Sequence, residues 1–210
     1  TWERNVTRKY LEYVDFVGNC DTNEGRLNTC KKYVGVECPV YLDFEKMMKE
    51  VKPEVLIVCT PDYTHNDIIV RGMELGADII TEKPMAIDEK KIQTIIDAEK
   101  KTGKSCRVTF NYRYSPHRTK MWEIIRSGEI GDLTSVDFHW YLDTSHGADY
   151  FRRWHRLMEK GGSLWVHKAS HHFDLLNWWI ESDPESVYAL GDLEFYGKNG
   201  PFRADNCRNC

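Results

Sequence analysis

Short unbroken apolar runs and longer stretches with apolar residues every three or four positions take turns along the first half of the chain. Val55-Leu56-Ile57-Val58-Cys59, Asp78-Ile79-Ile80-Thr81 and Cys106–Phe110 are the short runs, and Val14–Cys20 and Val40-Tyr41 read as two further strands. The Val55–Cys59 run, apolar at every position, predicts a central parallel strand buried on both faces. Helices are predicted over residues 2–13, where Val6, Tyr10, Leu11 and Tyr13 share a face, and over Glu24–Tyr33, which Gly35 stops. Asp43 is placed to cap a helix reaching about Val51, with Phe44, Met47 and Met48 turned inward. Thr64-His65-Asn66-Asp67 opens a helix with a capping-box-like pattern and Gly76 closes it. Asp88 caps another, running through Ile92, Ile95 and Ile96 to Gly103. Strand and helix alternating over short turns predict an α/β fold, a doubly wound parallel sheet.

After Phe110 the pattern changes. Ser115-Pro116 starts a helix through Trp122 and Ile125 that ends at Gly128. Leu133–Leu142 alternates as a half-exposed antiparallel strand does, and Asp143–Gly162 reads as a loop rich in Gly, His and Arg. An aromatic helix through Phe173, Leu175, Leu176 and Trp179 follows, then a strand over Ser186–Tyr196. This second part is α+β, so the chain divides into residues 1–110 and residues 111–210.

With 41% hydrophobic and 12% aromatic residues among 210, the chain can fill a core. A net charge of −4 gives no general attraction to nucleic acid or to an anionic membrane. No apolar run approaches the roughly 20 residues of a membrane span, and no signal-peptide pattern opens the chain. The seven cysteines are odd in number, and Cys20, Cys59 and Cys106 lie in apolar runs where a thiol serves as a small buried hydrophobe. A reducing, cytoplasmic setting is expected. Cys207-x-x-Cys210 supplies only two potential ligands, and no metal is assigned to it.

Candidate chemistry gathers at strand ends. Glu82-Lys83-Pro84 stops the Asp78–Thr81 strand and places an amine at the carboxyl edge of the sheet, where open α/β folds hold ligands. A lysine there also serves simply by reaching into water. Asp21, at the end of the Val14–Cys20 strand, is placed to accept from an adenosine ribose and to repel a 2′-phosphate, which favours NAD over NADP; it also suits a turn. The glycine loop belongs about 20 residues before such an acid, so it and the first strand are expected upstream of Thr1. At the next strand end, backbone groups of the Thr60-Pro61 turn, with His65 nearby, would face a cofactor's ribose and nicotinamide, or the segment is a helix-capping turn with a surface histidine. Gly161-Gly162 leads to His167-Lys168 and His171. On an α-helix, His167 and His171 would share a face. That spacing fits metal ligation, but no third ligand is apparent; a histidine near a lysine suits proton transfer to or from a hydroxyl. Arg152, Arg153, Trp154 and His155 offer donors for a polar or acidic sugar, or form a solvated loop.

In this order the motifs resemble the Gfo/Idh/MocA family of NAD(P)-dependent oxidoreductases. The likeness runs through Asp21, Thr60-Pro61-Asp62-Tyr63-Thr64-His65, Glu82-Lys83-Pro84, Asn111-Tyr112-Arg113-Tyr114-Ser115-Pro116, Gly128–Gly131, and Gly161-Gly162 to His171 and Asp174. It implies a Rossmann-like domain followed by an α/β domain whose open, mostly antiparallel sheet builds a homo-oligomer, a dimer or tetramer. It implies a cofactor site of Asp21, Thr60, Pro61, His65, Glu82, Lys83, Pro84, Asn111 and Arg113. Lys83 and His171 are the implied catalytic groups, with Glu82 placing the lysine; His167 is a further catalytic candidate of this chain, and Arg153, Trp154 and Lys168 are candidates around the substrate. His167 stands where sugar-oxidising relatives carry an aspartate, a departure that bears on the proton path. The expected activity is hydride transfer between NAD and a carbinol of a sugar, polyol or sugar derivative. The alternatives are a redox-neutral glycosidase that oxidises a sugar transiently with bound NAD, and a non-catalytic cofactor-binding protein.

Overall fold

The computed structural model describes residues 9–34, 37–196, 199–201, 204 and 206. Val6, Gly35, Cys207 and Cys210 lie outside the described residues. Of the helix predicted over 2–13, the described part holds one 3-10 turn, Leu11–Tyr13.

The chain forms two compact units, one of Thr1–Val58, Asp67–Ile80 and Thr94–Arg107, the other of Cys59–Asn66, Thr81–Gln93 and Val108–Cys210. In the first, strand β1 (Asn19–Cys20) pairs in parallel with β2 (Val40–Tyr41), Asn19 opposite Val40 and Cys20 opposite Tyr41. Helix α1 (Glu24–Val34) joins them. Only two residues of the predicted Val14–Cys20 strand enter the ladder, because β2 offers no more than two partners. Helix α2 (Phe44–Val51) starts where expected, the Asp43 carboxylate accepting from the Lys46 N–H at 2.9 Å. A second parallel sheet has the order β3 (Val55–Val58), β4 (Asp78–Glu82), β5 (Cys106–Thr109), with α3 (His65–Glu74) and α4 (Glu89–Thr102) as the crossovers.

The order places β4 in the centre of that sheet and corrects the reading of Val55–Cys59. Among the described residues β3 pairs only with β4, and Leu56 and Val58 are buried whereas Val55 and Ile57 are 47% and 38% exposed, so one face of the strand is covered rather than two. The core of this unit is built on Met48, Val58, Ile69, Met73, Ile79 and Ile95. Gly72 lets α3 press onto the sheet: a Cβ there would come within 2.8 Å of Leu56 and 2.9 Å of Ile79. Cys20 and Cys106 are half-buried, whereas Cys59 is exposed, so the expectation of a buried thiol fails for Cys59. No disulfide joins the described cysteines. Among the described residues no helix is long and apolar enough to cross a membrane.

The second unit holds α5 (Pro116–Arg126), three four-residue helices α6 (Thr144–Gly147), α7 (Asp149–Arg152) and α8 (Met158–Gly161), a π-helical stretch Trp165–Ala169, and α9 (Ser170–Ile180). The predicted loop Asp143–Gly162 is therefore largely helical. The strands predicted over Leu133–Leu142 and Ser186–Tyr196 carry no ladder among the described residues. Alternation marks a segment that can pair, and pairing also needs a neighbour; without one, Val136, Tyr141, Val187, Tyr188 and Leu190 stand exposed.

Candidate active site

Every site residue below except Asp21 belongs to the second unit. Lys83 follows the last residue of β4, and the peptide bond between Lys83 and Pro84 is cis. His65 fixes this turn. Its Nδ1 lies 2.9 Å from the Pro84 carbonyl oxygen and its Nε2 lies 2.8 Å from that of Thr60, so one ring bridges two strand-end turns. With both nitrogens engaged and the residue 1% exposed, His65 holds the two turns together. Gly162 sets the other wall. It adopts φ +70°, and a Cβ there would lie 2.6 Å from the Ile87 carbonyl oxygen, so only glycine lets the chain entering the π-helix pass so close to the segment after Pro84.

That close approach brings Lys83 to the π-helix, where its Nζ donates to the backbone oxygen of His167. Burial pulls the Lys83 pKa below the ordinary lysine value; Asp62 and Glu82 oppose the shift and Lys168 adds to it. The side chain of His167 turns to Asp62, whose buried carboxylate accepts from its Nδ1. Rings of His155, Tyr150 and Trp154 surround it, with centroids 4.6, 5.4 and 5.7 Å away. His167 also lines a cavity of about 220 Å³ together with Tyr150, Phe151, His155, Met158 and Ser163. Ser163, at φ +113°, holds a backbone conformation that costs a non-glycine residue roughly 1–3 kcal/mol.

His171 goes elsewhere. The backbone at His167 is π-helical, and the two histidines have different partners, Asp62 for His167 and Tyr112 for His171. His171 is buried, stacked on Tyr112 with centroids 3.9 Å apart and planes 7° from parallel, and its Nδ1 has no hydrogen-bond partner. Burial, reinforced by Lys83, Lys168, His172 and Arg118, pushes its pKa down to about 3. Lys168, expected at the substrate, is buried and donates to the Tyr112 hydroxyl at 2.9 Å. Its charge also lowers the pKa of Lys83 and of His171.

A stability prediction follows from His171. Its folded-state pKa lies below the unfolded value of about 6.5, so the unfolded chain binds more protons between about pH 6.5 and 3. Stability is therefore complete above pH 6.5 and lost as the pH falls through that window; burial of His155 and His172 lowers their pKa values and acts in the same direction. Thermal melts at pH 7.5 and 5.5 are expected to show a drop that His171→Phe reduces. An equal drop in the variant would contradict the assignment.

The remaining candidates divide. Asp21, in the first unit, ends β1 and accepts from the Asn23 N–H at 2.8 Å through Oδ1, with Arg26 at 3.5 Å from the same oxygen. It thus serves the turn through Oδ1. Thr60 is exposed, its hydroxyl accepting from Thr64 at 2.8 Å, and Pro61 begins the Asp62–Thr64 turn. Glu82 is half-buried and acts on Lys83 through charge; Pro84 is buried. Asn111 and Arg153 are exposed, and Trp154 stacks on His155 at 4.0 Å. Arg113 makes a bidentate pair with Asp174 of α9, one bond at 2.8 Å. Among the described residues no group of three or more His, Cys, Asp or Glu is placed to hold a metal. Asp62 and Tyr112 are the groups that sequence reasoning missed. Asp62 stood in the strand-end motif, but nothing local pointed to a partner 105 residues away.

A parallel α/β sheet with a lysine at a strand end, in one unit with His167 and His171, is the arrangement to compare with known proteins. Residues 4–110 match the family described as "Oxidoreductase family, NAD-binding Rossmann fold", and residues 123–208 match "Oxidoreductase family, C-terminal alpha/beta domain". The chain belongs to this family, Gfo/Idh/MocA, and has its Rossmann-like domain followed by its α/β domain. It is 40% identical to the putative oxidoreductase YteT of Bacillus subtilis over 98% of the chain and 50% of that protein. It is 26% identical to an inositol 2-dehydrogenase/D-chiro-inositol 3-dehydrogenase of Lactiplantibacillus plantarum over 85% of the chain and 49% of that protein. Among solved structures, the WlbA dehydrogenase of Bordetella pertussis in complex with NADH and UDP-GlcNAcA superposes with a TM-score of 0.73 at 21% identity, covering 85% of this chain and 51% of that one. The chain spans about half the length of these relatives.

Proposed function

We propose that the protein is an NAD-dependent dehydrogenase acting on a carbinol of a sugar, polyol or sugar derivative, with residues 1–110 as the dinucleotide-binding domain and 111–210 as the substrate and oligomerisation domain. The observation that carries the reading is Lys83: a desolvated amine at a strand end, grouped in one unit with two imidazoles, His167 and His171. A carbinol loses hydride only as its hydroxyl proton leaves, and such a cluster can hold the charge and take the proton. The residues present suit the cofactor. Asp21 retains an acceptor oxygen for a ribose diol, and exposed Thr60 with Pro61, Glu82 and Lys83 are polar or close-packed groups fit for a nicotinamide riboside. Bound NAD would supply the hydride acceptor. Names of relatives, inositol 2-dehydrogenases among them, support a polyol or sugar as substrate. Exposed apolar residues at Tyr141, Val187, Tyr188 and Leu190 support a homo-oligomer.

A second reading, redox-neutral glycoside cleavage with bound NAD, is favoured by 32% identity over 131 residues to a "Glycosyl hydrolase family 109 protein 1" of Akkermansia muciniphila. One screen separates the two. Full-length protein with NAD and a panel of polyols, sugars, sugar acids and aryl glycosides is expected to accumulate NADH with at least one hydroxyl compound. Aglycone release without NADH would favour the second reading. NAD binding without turnover of any compound would leave a cofactor-binding protein.

A further inference from the structure

Three basic groups compete for the hydroxyl proton in this site, and their surroundings differ. Lys83 Nζ donates to a backbone oxygen. His171 lies stacked against Tyr112, boxed in by cations. His167 alone of the three lines the 220 Å³ cavity, and no protein group among the described residues bonds its Nε2. Its Nδ1 is held by Asp62, a carboxylate only 6% exposed that comes from the turn after β3 rather than from the π-helix. A buried acceptor at Nδ1 keeps a proton on that nitrogen and leaves the Nε2 lone pair outward. The other titratable groups around the ring are His155 and Tyr150.

We propose that Asp62 is a positioning residue that fixes His167 as its Nδ1–H tautomer, and that His167 Nε2 is the proton acceptor of the reaction. The inference rests on the dehydrogenase reading for its chemistry. In the step, the substrate O–H bond breaks and its proton goes to Nε2. The oxygen's electron pair becomes the second C–O bond, and the carbon's hydride is taken up by NAD. Lys83, donating to the His167 backbone, steadies the same residue and places positive charge near the oxygen that loses its proton.

The test has two readouts, one independent of turnover. In full-length protein without added cofactor, ¹⁵N NMR of the histidine side chains is expected to show His167 Nδ1 as proton-bearing. Asp62→Asn should move the proton toward Nε2, while Asp62→Glu should restore the original pattern in part. With NAD and a substrate from the screen, Asp62→Asn should lower kcat by roughly 10²–10⁴-fold with KM and NAD affinity within a few-fold. A wild-type His167 lacking a proton on Nδ1 would overturn the proposal, and so would an unchanged spectrum or unchanged kcat in Asp62→Asn. If no compound yields NADH, the dehydrogenase reading fails by itself, and the NMR result still decides whether Asp62 sets the tautomer.

Discussion

Lys83→Ala is expected to lower turnover by roughly 10²–10³-fold while leaving NAD binding within a few-fold of the original, the loss that removal of one charge-stabilising donor at a reacting oxygen produces. The side chain reaches no surface ion pair that would explain its position; it ends on the His167 backbone oxygen inside the same unit. Holding that amine charged is an electrostatic cost, because burial is the largest influence on its pKa and lowers it. The unfolded chain therefore binds more protons between the lowered value and about 10.4, and stability rises with pH across that window. Alanine relieves the cost, so the variant is expected to fold and to separate a catalytic defect from a structural one. The same shift predicts an alkaline fall in kcat beginning below the ordinary lysine range, and Lys83→Arg, which stays charged, should abolish that fall even as its bulkier head lowers the rate. Unchanged turnover in Lys83→Ala would remove Lys83 from the mechanism.

Arg113→Ala should be the most damaging single substitution for stability, at about 2–4 kcal/mol. Its guanidinium holds the Asp174 carboxylate with two bonds, and that carboxylate is only 7% exposed. Losing the arginine strands a buried charge, which costs far more than an exposed pair contributes. The planar head also lies over Trp178, 5.7 Å from the ring centroid, and Phe110, 6.0 Å away, so packing is lost as well. Calorimetry on the variant should show a melting temperature lower by roughly 5–15 °C, by the usual conversion for chains of this size. Asp174→Asn should cost less, since the arginine left behind is one third exposed and can turn to water. A variant that melts normally but loses NAD affinity would support the cofactor role that the sequence suggested for Arg113.

These two residues also mark where sequence reading succeeds and where it stops. Lys83 was legible because a strand ending in Glu-Lys-Pro has few places to put its amine, and β4 ends one residue before it. The helices capped by Asp43 and Asp88 were legible for the same reason: a cap is chemistry between residues three apart, and both carboxylates accept the N–H three residues on. The Arg113 pair was not legible because its partner lies 61 residues away, and the Asp62 pair because its partner lies 105 away. Periodicity misled at three points, each for a physical cause. Four-residue helices such as α6 and α7 are too short to show a period. Alternation over Leu133–Leu142 and Ser186–Tyr196 describes a capacity to pair, with no pairing partner among the described residues. A π-helical stretch, Trp165–Ala169, stands where an α-helical turn was expected at His167, and no local signal pointed to the separate partners of the two histidines, Asp62 and Tyr112.

The most direct measurement is single-turnover hydride transfer by the full-length protein, with NAD and a hit compound from the screen deuterated at its carbinol carbon. A primary isotope effect on NADH formation is expected, together with a chemical step at least about 10²-fold slower in Lys83→Ala at saturating NAD. NADH formed at the wild-type rate by that variant would contradict the account.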